Sequence, residues 1–570
     1  MPAKAKQESG RRAASARCYW PWLVLLGILV GFTGVIIWIG PATNFGALQD
    51  DAMYFASSKS IARGRGYVLP SFPGHLPKLK YPELYPWLLS WVWRWDPKFP
   101  SNVVPAIGLT LIFACWFLIA CFLTAKHTLR LEPAWALAVT ALCAFNFFSL
   151  LLGGSVLSDL PFAALALTAL LCADRALEKN TGWKWAAAAG TLAGVSVGLR
   201  TVGATLIAGI VVVAMIRPRW RQAAVCCIVG GALSLPWILA VFARLLSAHT
   251  GPAATSPGWS QTLAFYSSYI GQWRHFVPNW ATQRTVLLKN FISTILAPGV
   301  LLLLPLANHG AVLSVGVGGI VTIAAWVGLF WHFRREGWKS IHGAFLFYLA
   351  MVLPWPFPPQ RFLVPFLPLF FGGLALVVRE IGRNAATTMR VSATMAKRAP
   401  AAVAYVGLIG LAGLLVANGA WAAPTALARL MAQQRSLLAS KRQAYRWIAE
   451  NTPESARFIA YDDVLLYLYT GREAIRPIAP STASEYDNNP AIAQRDAAHL
   501  GDVARHVRAN YWLVTPSDFG ADLGDDEILL PQRENELLAH FPVVFQCDSG
   551  RVRLYALRPD GNRAKEGQLP

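Results

Sequence analysis

The sequence predicts a polytopic α-helical membrane protein that carries a soluble α/β domain at its C-terminus. Of the 570 residues, 55% are hydrophobic and only 14% are charged, and the mean hydropathy is +0.41. Several stretches approach the roughly 20 apolar residues that a helix needs to cross a bilayer. The last part of the chain is polar and alternates helical patterns with short β-prone runs. These observations divide the chain into a membrane domain, residues 1–422, and an α/β domain, residues 423–570.

The net charge of +21 belongs to the membrane domain. From residue 423 onward, 17 Lys and Arg stand against 19 Asp and Glu. The excess lies largely in short loops, where positive charge keeps a loop on the cytoplasmic side of a membrane. The charge therefore predicts how the helices are oriented, and it does not indicate nucleic-acid binding.

Apolar runs separated by basic loops predict about 11 to 13 transmembrane helices. Eleven crossings satisfy the alternation of the basic loops: 20–40, 103–124, 134–152, 160–175, 185–199, 201–216, 223–245, 311–331, 341–356, 362–380 and 401–422. The first run is too long for the apolar core of a cleaved signal peptide, so an uncleaved anchor helix is expected. The N-terminus is then cytoplasmic, and the large loop 41–102 is extracytoplasmic, as is the C-terminal domain.

The stretch 185–216 is too long for one crossing and too short for two full ones. Because both of its ends are basic, we predict a hairpin of two short helices with Arg200 at its outer apex. A lone arginine at that depth is unfavourable unless it pairs with an anionic group. The same alternation lets 311–331 cross and predicts that 291–307 is re-entrant or interfacial.

The polar tail predicts a small α/β domain. A helical pattern ends at the Asn-Thr-Pro sequence of residues 451–453. Strands are expected in five short runs separated by helices: 456–461, 474–478, 511–514, 542–547 and 551–556.

Three carboxylates are candidate catalytic groups. Asp50 and Asp51 lie about ten residues beyond the first membrane helix, and Asp159 follows a short outer turn. Each could simply cap the helix that follows it, since Asp is favoured at helix N-termini. A carboxylate just above the membrane could also take a proton from an acceptor hydroxyl or hold a cation.

Two isolated arginines, Arg200 and Arg361, fall on the same membrane face as these carboxylates. For Arg361, a side chain that simply extends its charge to the interface is the alternative. Arginine is suited to phosphate, and the short helices of the hairpin leave a recess for a lipid tail. The topology thus predicts a site for a lipid phosphate with an acid or base beside it.

Six segments of the chain, in order, resemble the C-type integral-membrane glycosyltransferases of the protein-mannosyltransferase and aminoarabinose-transferase superfamily. They span nearly the whole chain: DDAMYFASSKSIARGRGY (50–67), KYPELYPWLLS (80–90), LSDLPFAALAL (157–167), GVSVGLRTVGATL (194–206), PPQRFLVPFLPLFF (358–371) and YRWIAENTPESARFIAYDDVLLYLYTGREA (445–474). The resemblance implies the C-type glycosyltransferase architecture, with a large first extracytoplasmic loop and an extracytoplasmic C-terminal domain.

The resemblance also implies roles for particular residues. The family's acidic positions fall on the catalytic candidates Asp50 or Asp51, and Asp159. The lipid phosphate is expected at Lys80, Arg200 and Arg361, and further substrate contacts at Tyr54, Tyr81 and Glu83. The first loop has Asp-Asp where the family commonly has Asp-Glu, which leaves open which carboxylate is the base. Pro82-Glu83 stands where the family often has a proline pair.

The implied activity is inverting transfer of a hexosyl or pentosyl group from a polyprenyl-phosphate donor to an extracytoplasmic lipid, glycan or protein. The expected setting is a bacterial inner (plasma) membrane, with membrane lipids as partners and no cofactor. One alternative keeps the enzyme but adds a divalent cation at Asp50, Asp51 and Asp159. Another is a transporter or flippase of lipid-linked sugars. The long first loop and soluble tail, and the lack of a visible inverted repeat in the sequence, disfavour it.

Overall fold

The computed structural model describes residues 2–77, 80–178, 182–247, 256–277, 279–391, 395–479, 490–519 and 529–558. Helices dominate the part that precedes residue 423. They are α1 (Pro2–Ile39), α2 (Asp50–Ala62), α3 (Leu84–Trp95), α4 (Val103–Leu123), α5 (Pro133–Ala144), α6 (Phe147–Gly153), α7 (Asp159–Glu178), α8 (Trp183–Leu199), α9 (Ala204–Ile216), α10 (Trp220–Ser247), α11 (Pro257–Ser267), α12 (Tyr269–Phe276), α13 (Trp280–Phe291), α14 (Pro298–Leu303), α15 (Gly318–Glu336), α16 (Ser340–Val352), α17 (Leu367–Val391) and α18 (Met395–Ala417).

Seven helical segments of the described chain are long and apolar enough to cross a membrane. They are Tyr19–Ile39, Val103–Thr128, Asp159–Glu178, Trp220–Ala243, Val312–Glu336, Pro359–Arg390 and Ala399–Asn451. The pair α5 and α6, bent by 63°, would make an eighth span. The shorter helices α8, α9 and α16 occupy the remaining predicted crossings. The chain is therefore an integral, polytopic helical membrane protein, as predicted.

The predicted break at Arg200 is present. Helix α8 ends at Leu199, Arg200 is extended with φ −149° and ψ 129°, and a 3-10 turn leads into α9. Small residues let α8 pack closely on α10, because a Cβ on Gly194 would lie 2.8 Å from the carbonyl oxygen of Gly230. Arg200 thus sits at the junction of two short helices rather than inside one long helix.

The apolar stretch 291–307 does not form a continuous helix. It consists of the end of α13, a π-helical turn over Ile292–Leu296, the short helix α14 and the start of another turn, whereas Val312–Glu336 is long enough to cross. This division agrees with the prediction that only the second of the two runs crosses the membrane.

The first loop is ordered by two helices of different character. Helix α2 is mostly buried, whereas α3 is amphipathic and exposes a row of indole rings at Trp87, Trp91 and Trp95. Tryptophan prefers the interface between membrane and water. Helix α3 therefore has the composition of an interfacial anchor for the loop.

The C-terminal part forms a five-stranded mixed sheet in which all five predicted strands are present. Its strand order is β4-β3-β5-β7-β6; β3 is parallel to β4 and β5, and β7 is antiparallel to β5 and β6. A two-stranded ribbon, β1 with β2, lies in the first loop. The bounds are β1 (Val68–Leu69), β2 (Leu76–Pro77), β3 (Arg457–Ala460), β4 (Glu473–Ile475), β5 (Tyr511–Val514), β6 (Val543–Cys547) and β7 (Val552–Ala556), with helices α19 (Ala423–Asn451), α20 (Asp463–Thr470), α21 (Pro490–Ala498), α22 (Asp502–Val507) and α23 (Leu529–Leu538).

The C-terminal sheet domain packs against two loops of the membrane domain. The amide of Ala474 donates to the carbonyl of Ser71 in the first loop at 2.8 Å. In the loop between α10 and α13, the Tyr266 hydroxyl donates to Asp463 Oδ2 at 2.8 Å. Since both loops contact the same domain, all three lie on one side of the membrane helices.

This arrangement makes an accessibility prediction. A cysteine at the exposed position Arg65 in the first loop and native Cys547 in the C-terminal domain should react from the same, extracytoplasmic side. A cysteine at exposed Arg335, in the basic end of α15, should react only from the other side. The measurement is labelling of intact cells by a membrane-impermeant maleimide without denaturation, since Cys547 is partly exposed although its thiol contacts the carbonyl of Ser440. Labelling of Arg65→Cys and Cys547 from opposite sides would contradict the fold.

Candidate active site

Asp159, the first residue of α7, is bound by two arginines from different segments of the chain. Arg361 makes a two-pronged contact, with Nε 3.0 Å from Oδ1 and Nη2 2.8 Å from Oδ2. Arg200 Nη1 lies 2.6 Å from Oδ1. Because the Asp159 side chain is only 4% exposed, the guanidinium groups and not water balance its charge. Asp159 therefore holds two cations side by side.

Local structure explains how the two arginines reach this carboxylate. Arg200 leaves the helical path between α8 and α9, and its guanidinium lies 5.3 Å from the ring centre of Phe362. Arg361 lies in the 3-10 turn Pro359–Phe366 that precedes α17. The side chains of Arg200 and Arg361 remain 18% and 21% exposed, so each guanidinium keeps an open edge.

Asp50 joins the same group of charges from the start of α2. Its Oδ2 lies 3.3 Å from Arg361 Nη2, and its Oδ1 accepts a hydrogen bond from the Tyr81 hydroxyl at 2.5 Å. The Asp50 side chain is 27% exposed. We refer to Asp50, Asp159, Arg200 and Arg361 as the acid–arginine cluster. Asp50 is its accessible carboxylate, and Asp159 is its buried one.

Asp51 has a different environment, although it is the next residue. Its Oδ2 accepts from the amide of Gly46 at 2.9 Å and its Oδ1 from its neighbour Ala52 at 2.8 Å. The residue is 2% exposed. Burial raises the pKa of Asp51 to about 7, and the two backbone hydrogen bonds oppose that rise. These contacts give Asp51 a role in shaping the turn before α2.

Aromatic residues flank the acid–arginine cluster. The rings of Tyr54 and Tyr81 are 5.0 Å apart, and the Tyr54 hydroxyl is 3.1 Å from Ser158 Oγ, next to Asp159 in the chain. Burial and the neighbouring Asp50 raise the pKa of Tyr81 well above its ordinary range, which keeps its phenol protonated as a donor. Tyr81 can therefore fix the orientation of the Asp50 carboxylate.

Lys80 and Glu83, two further sequence candidates, lie in contrasting settings. Lys80 is 4% exposed; its Nζ donates to Gln272 Oε1 at 2.9 Å and lies 3.9 Å from the ring centre of Phe265. Burial lowers the pKa of Lys80 to about 7; Asp50 opposes this shift and Arg476 adds to it. Glu83 is exposed at the start of α3, and among the described residues its side chain makes no hydrogen bond or ion pair with the cluster.

The structure also brings in residues to which the sequence assigned no role. Gln272 and Tyr269 come from α12; Tyr269 packs against Tyr81 with ring centres 6.0 Å apart. Ser158 and Phe362 are the chain neighbours of Asp159 and Arg361. Their places at the site could therefore have been predicted from the sequence. No spacing in the sequence links Gln272 to Lys80, which lies 192 residues away.

The cluster combines an accessible carboxylate, an anchored pair of cations and a phenol donor. Such a set can accept a proton at one point and stabilise an anion at another. Within the part of the chain that the structure describes, no three His, Cys, Asp or Glu side chains come together as a metal-binding group. The oxygens of Asp159 face guanidinium groups and those of Asp51 face backbone amides, so these two carboxylates do not join Asp50 around a common point.

Comparison of the fold gives similar solved structures. ArnT from Cupriavidus metallidurans, bound to undecaprenyl phosphate, aligns with a TM-score of 0.52 and 14% identity over 93% of this chain and 98% of that one. The archaeal oligosaccharyltransferase AglB from Archaeoglobus fulgidus, in complex with an inhibitory peptide and a dolichol-phosphate, aligns with a TM-score of 0.51 and 15% identity. That alignment covers 95% of this chain and 74% of the AglB chain. The apo form of the Archaeoglobus fulgidus oligosaccharyltransferase aligns with a TM-score of 0.52 and 13% identity, over 94% of this chain and 74% of that one.

These likenesses extend over nearly the whole chain and confirm, as a fold, the C-type glycosyltransferase architecture that the sequence resemblance implies. No protein-family model matches the sequence, and a search of curated proteins gave no sequence match.

Proposed function

We propose that this chain is a membrane glycosyltransferase that moves one sugar from a polyprenyl-phosphate donor to an acceptor outside the cytoplasm. The acid–arginine cluster is the observation that carries the proposal, because it holds a base and two phosphate-binding cations in one place. The fold supports it: the similar ArnT structure contains undecaprenyl phosphate, and the similar AglB structure contains a dolichol-phosphate.

The two arginines suit the leaving phosphate. Among the described contacts, Arg200 uses Nη1 on Asp159, and Arg361 uses Nε and Nη2 on Asp159 and Asp50. Both therefore keep N–H groups that can donate to phosphate oxygens, and charge-assisted bonds of this kind are the strong ones. Burial lowers the pKa of Lys80 to about 7, and a bound phosphate would favour its charged form, so Lys80 would add a third cation on the side of the first loop. A lipid phosphate leaves as an anion, so it needs cations more than it needs a proton.

In the proposed reaction, the acceptor hydroxyl attacks the anomeric carbon of the sugar on the face opposite the phosphate. The hydroxyl proton passes to Asp50, the new carbon–oxygen bond forms, and the bond from the sugar to the phosphate breaks with its electron pair on the phosphate. The configuration at the anomeric carbon is inverted. Arg200 and Arg361 receive the developing charge of the polyprenyl phosphate, and Asp159 positions both of them. Asp50 later returns its proton to water.

We infer metal-independent chemistry, because the oxygens of Asp159 and Asp51 already accept hydrogen bonds from protein groups and leave Asp50 without a carboxylate partner for a cation. We also propose that the cluster faces the extracytoplasmic side of a bacterial inner membrane, with the N-terminus in the cytoplasm, as the basic loops indicate. The transferred group would be a hexose or a pentose.

Turnover by the purified protein tests this proposal against transport. In detergent, with labelled polyprenyl-phosphate sugars and extracted envelope acceptors, we expect release of polyprenyl phosphate and label in the acceptor fraction, unchanged by EDTA. A transporter would bind the donor but leave it intact, because no compartment is present. Loss of turnover with EDTA, restored by a divalent cation, would contradict only the metal-independent mechanism and not the transfer reaction itself.

A further inference from the structure

Arg361 Nη2 is shared between two carboxylates. It lies 2.8 Å from Asp159 Oδ2 and 3.3 Å from Asp50 Oδ2. The contact with Asp159 is short, buried and supported by a second bond from Nε. The contact with Asp50 is longer, single and partly exposed, with 27% of the Asp50 side chain open to solvent. The two ends of this bridge therefore differ in strength, and the Asp50 end is the weaker.

Asp159 takes the Nε–Nη2 edge of the Arg361 guanidinium, so a phosphate that binds at two points would take the Nη1–Nη2 edge and compete with Asp50 for Nη2. Phosphate oxygens are strong acceptors for arginine, whereas a partly exposed ion pair contributes only about 0.2–1 kcal/mol. Asp159 would keep Arg361 in place during the exchange, since it holds the guanidinium by two bonds. Asp50 would keep its bond from Tyr81 on Oδ1 and lose its contact on Oδ2.

We propose that binding of the donor phosphate to Arg361 releases Asp50 Oδ2, so that the base is freed only on the donor-loaded enzyme. This inference rests on the proposed function. Without donor, the Arg361 guanidinium occupies Asp50 Oδ2. With donor, that contact is gone, and Oδ2 is open to accept the proton of the acceptor hydroxyl. Binding of donor and activation of the acceptor are then linked through one side chain.

Linkage between two binding events is reciprocal. If phosphate displaces Asp50 from Arg361, then neutralising Asp50 must tighten phosphate binding. Asp50→Asn, which loses the catalytic carboxylate, should therefore bind a polyprenyl monophosphate about two- to fivefold more tightly than the native protein. Asp96→Asn removes a carboxylate that accepts bonds from Lys98 and Ser101 in the same loop, and it should leave the affinity unchanged.

A double-mutant cycle separates competition from simple charge repulsion. In an Arg361→Gln background, Asp50 and the phosphate no longer compete for a guanidinium, so Asp50→Asn should raise the affinity for the monophosphate little or not at all. In an Arg200→Gln background the gain in affinity should persist, because Arg200 pairs with Asp159 and, within the part of the chain that the structure describes, makes no hydrogen bond or ion pair with Asp50. Affinity for the polyprenyl monophosphate is measured in detergent micelles on proteins of matched thermal stability.

Should Arg361→Gln fail to fold, Arg361→Lys gives a second measurement. Its ammonium cannot contact Asp159 and Asp50 together as the guanidinium does, so Asp50→Asn should raise the affinity for the monophosphate less in that background than in the native protein. An unchanged or weaker affinity in Asp50→Asn would overturn the inference, and so would an equal gain with and without Arg361. If the native protein does not bind the monophosphate, or binds it independently of both arginines, the proposed function fails instead.

Discussion

Replacing Asp50 by asparagine is expected to lower turnover about 10²- to 10⁴-fold, the usual contribution of a general base. Asparagine has nearly the same shape and can still accept the Tyr81 hydrogen bond, but it cannot take the acceptor's proton. The side chain is partly exposed and is not needed to pair Asp159, so folding should be intact. The measurement is the rate of sugar transfer at saturating donor and acceptor, with thermal unfolding as the check on folding.

Asp51→Asn is the matched comparison, since it makes the same chemical change one residue away. The Asp51 oxygens accept two backbone amides in a buried turn. Asparagine keeps one oxygen that can accept one of these bonds, but its amide nitrogen cannot accept the other, so stability should fall by about 1–3 kcal/mol. The effect should appear in the unfolding midpoint more than in the rate per folded molecule. If both variants transferred sugar at the wild-type rate, neither Asp50 nor Asp51 would be the general base.

Much of the fold was predictable because its signals are local. The breaks between apolar runs and the positions of basic residues locate the helices, and the short β-prone runs locate the five strands of the C-terminal sheet. Arg200 marked a break because an arginine is unfavourable inside a membrane helix. The domain boundary at residue 423 stays a prediction, because Ala399–Asn451 is helical across it and the helix itself marks no break there.

The site was predictable as a set of residues and not as a set of contacts. Topology alone put Asp50, Asp159, Arg200 and Arg361 on one face. It could not show that Arg361 spans Asp159 and Asp50, which are 202 and 311 residues away, because such pairs arise only from tertiary packing. Nor could it separate Asp50 from Asp51. That distinction depends on the turn that ends at Gln49, which has a φ of 57° and directly precedes α2.

Arg200→Leu is expected to weaken donor binding about ten- to a hundredfold, since a charge-assisted pairing contributes about 1.5–3 kcal/mol and each 1.4 kcal/mol is a factor of ten. The variant should fold, because Asp159 keeps its two-pronged pair with Arg361. Leaving a cation out of the junction of two short apolar helices removes an insertion penalty of about 2.5–3.5 kcal/mol for an unpaired arginine, but it also takes one of its two partners from the buried Asp159 carboxylate. Because these two effects oppose each other, the donor affinity should fall while the unfolding midpoint changes little.

Arg200→Lys refines this test, because lysine keeps the charge but loses the planar fork that contacts phosphate at two points. It should recover only part of the donor affinity. The remaining difference from the native protein gives the contribution of the two-point contact with phosphate. Arg383→Leu, which removes an arginine from an exposed pair with Glu132, controls for the loss of a positive charge and should bind donor normally. Donor affinity and turnover are compared for the native protein and these three variants at matched stability. If Arg200→Leu binds donor as the native protein does, Arg200 serves only to hold Asp159, and the phosphate must be bound by Arg361 and Lys80.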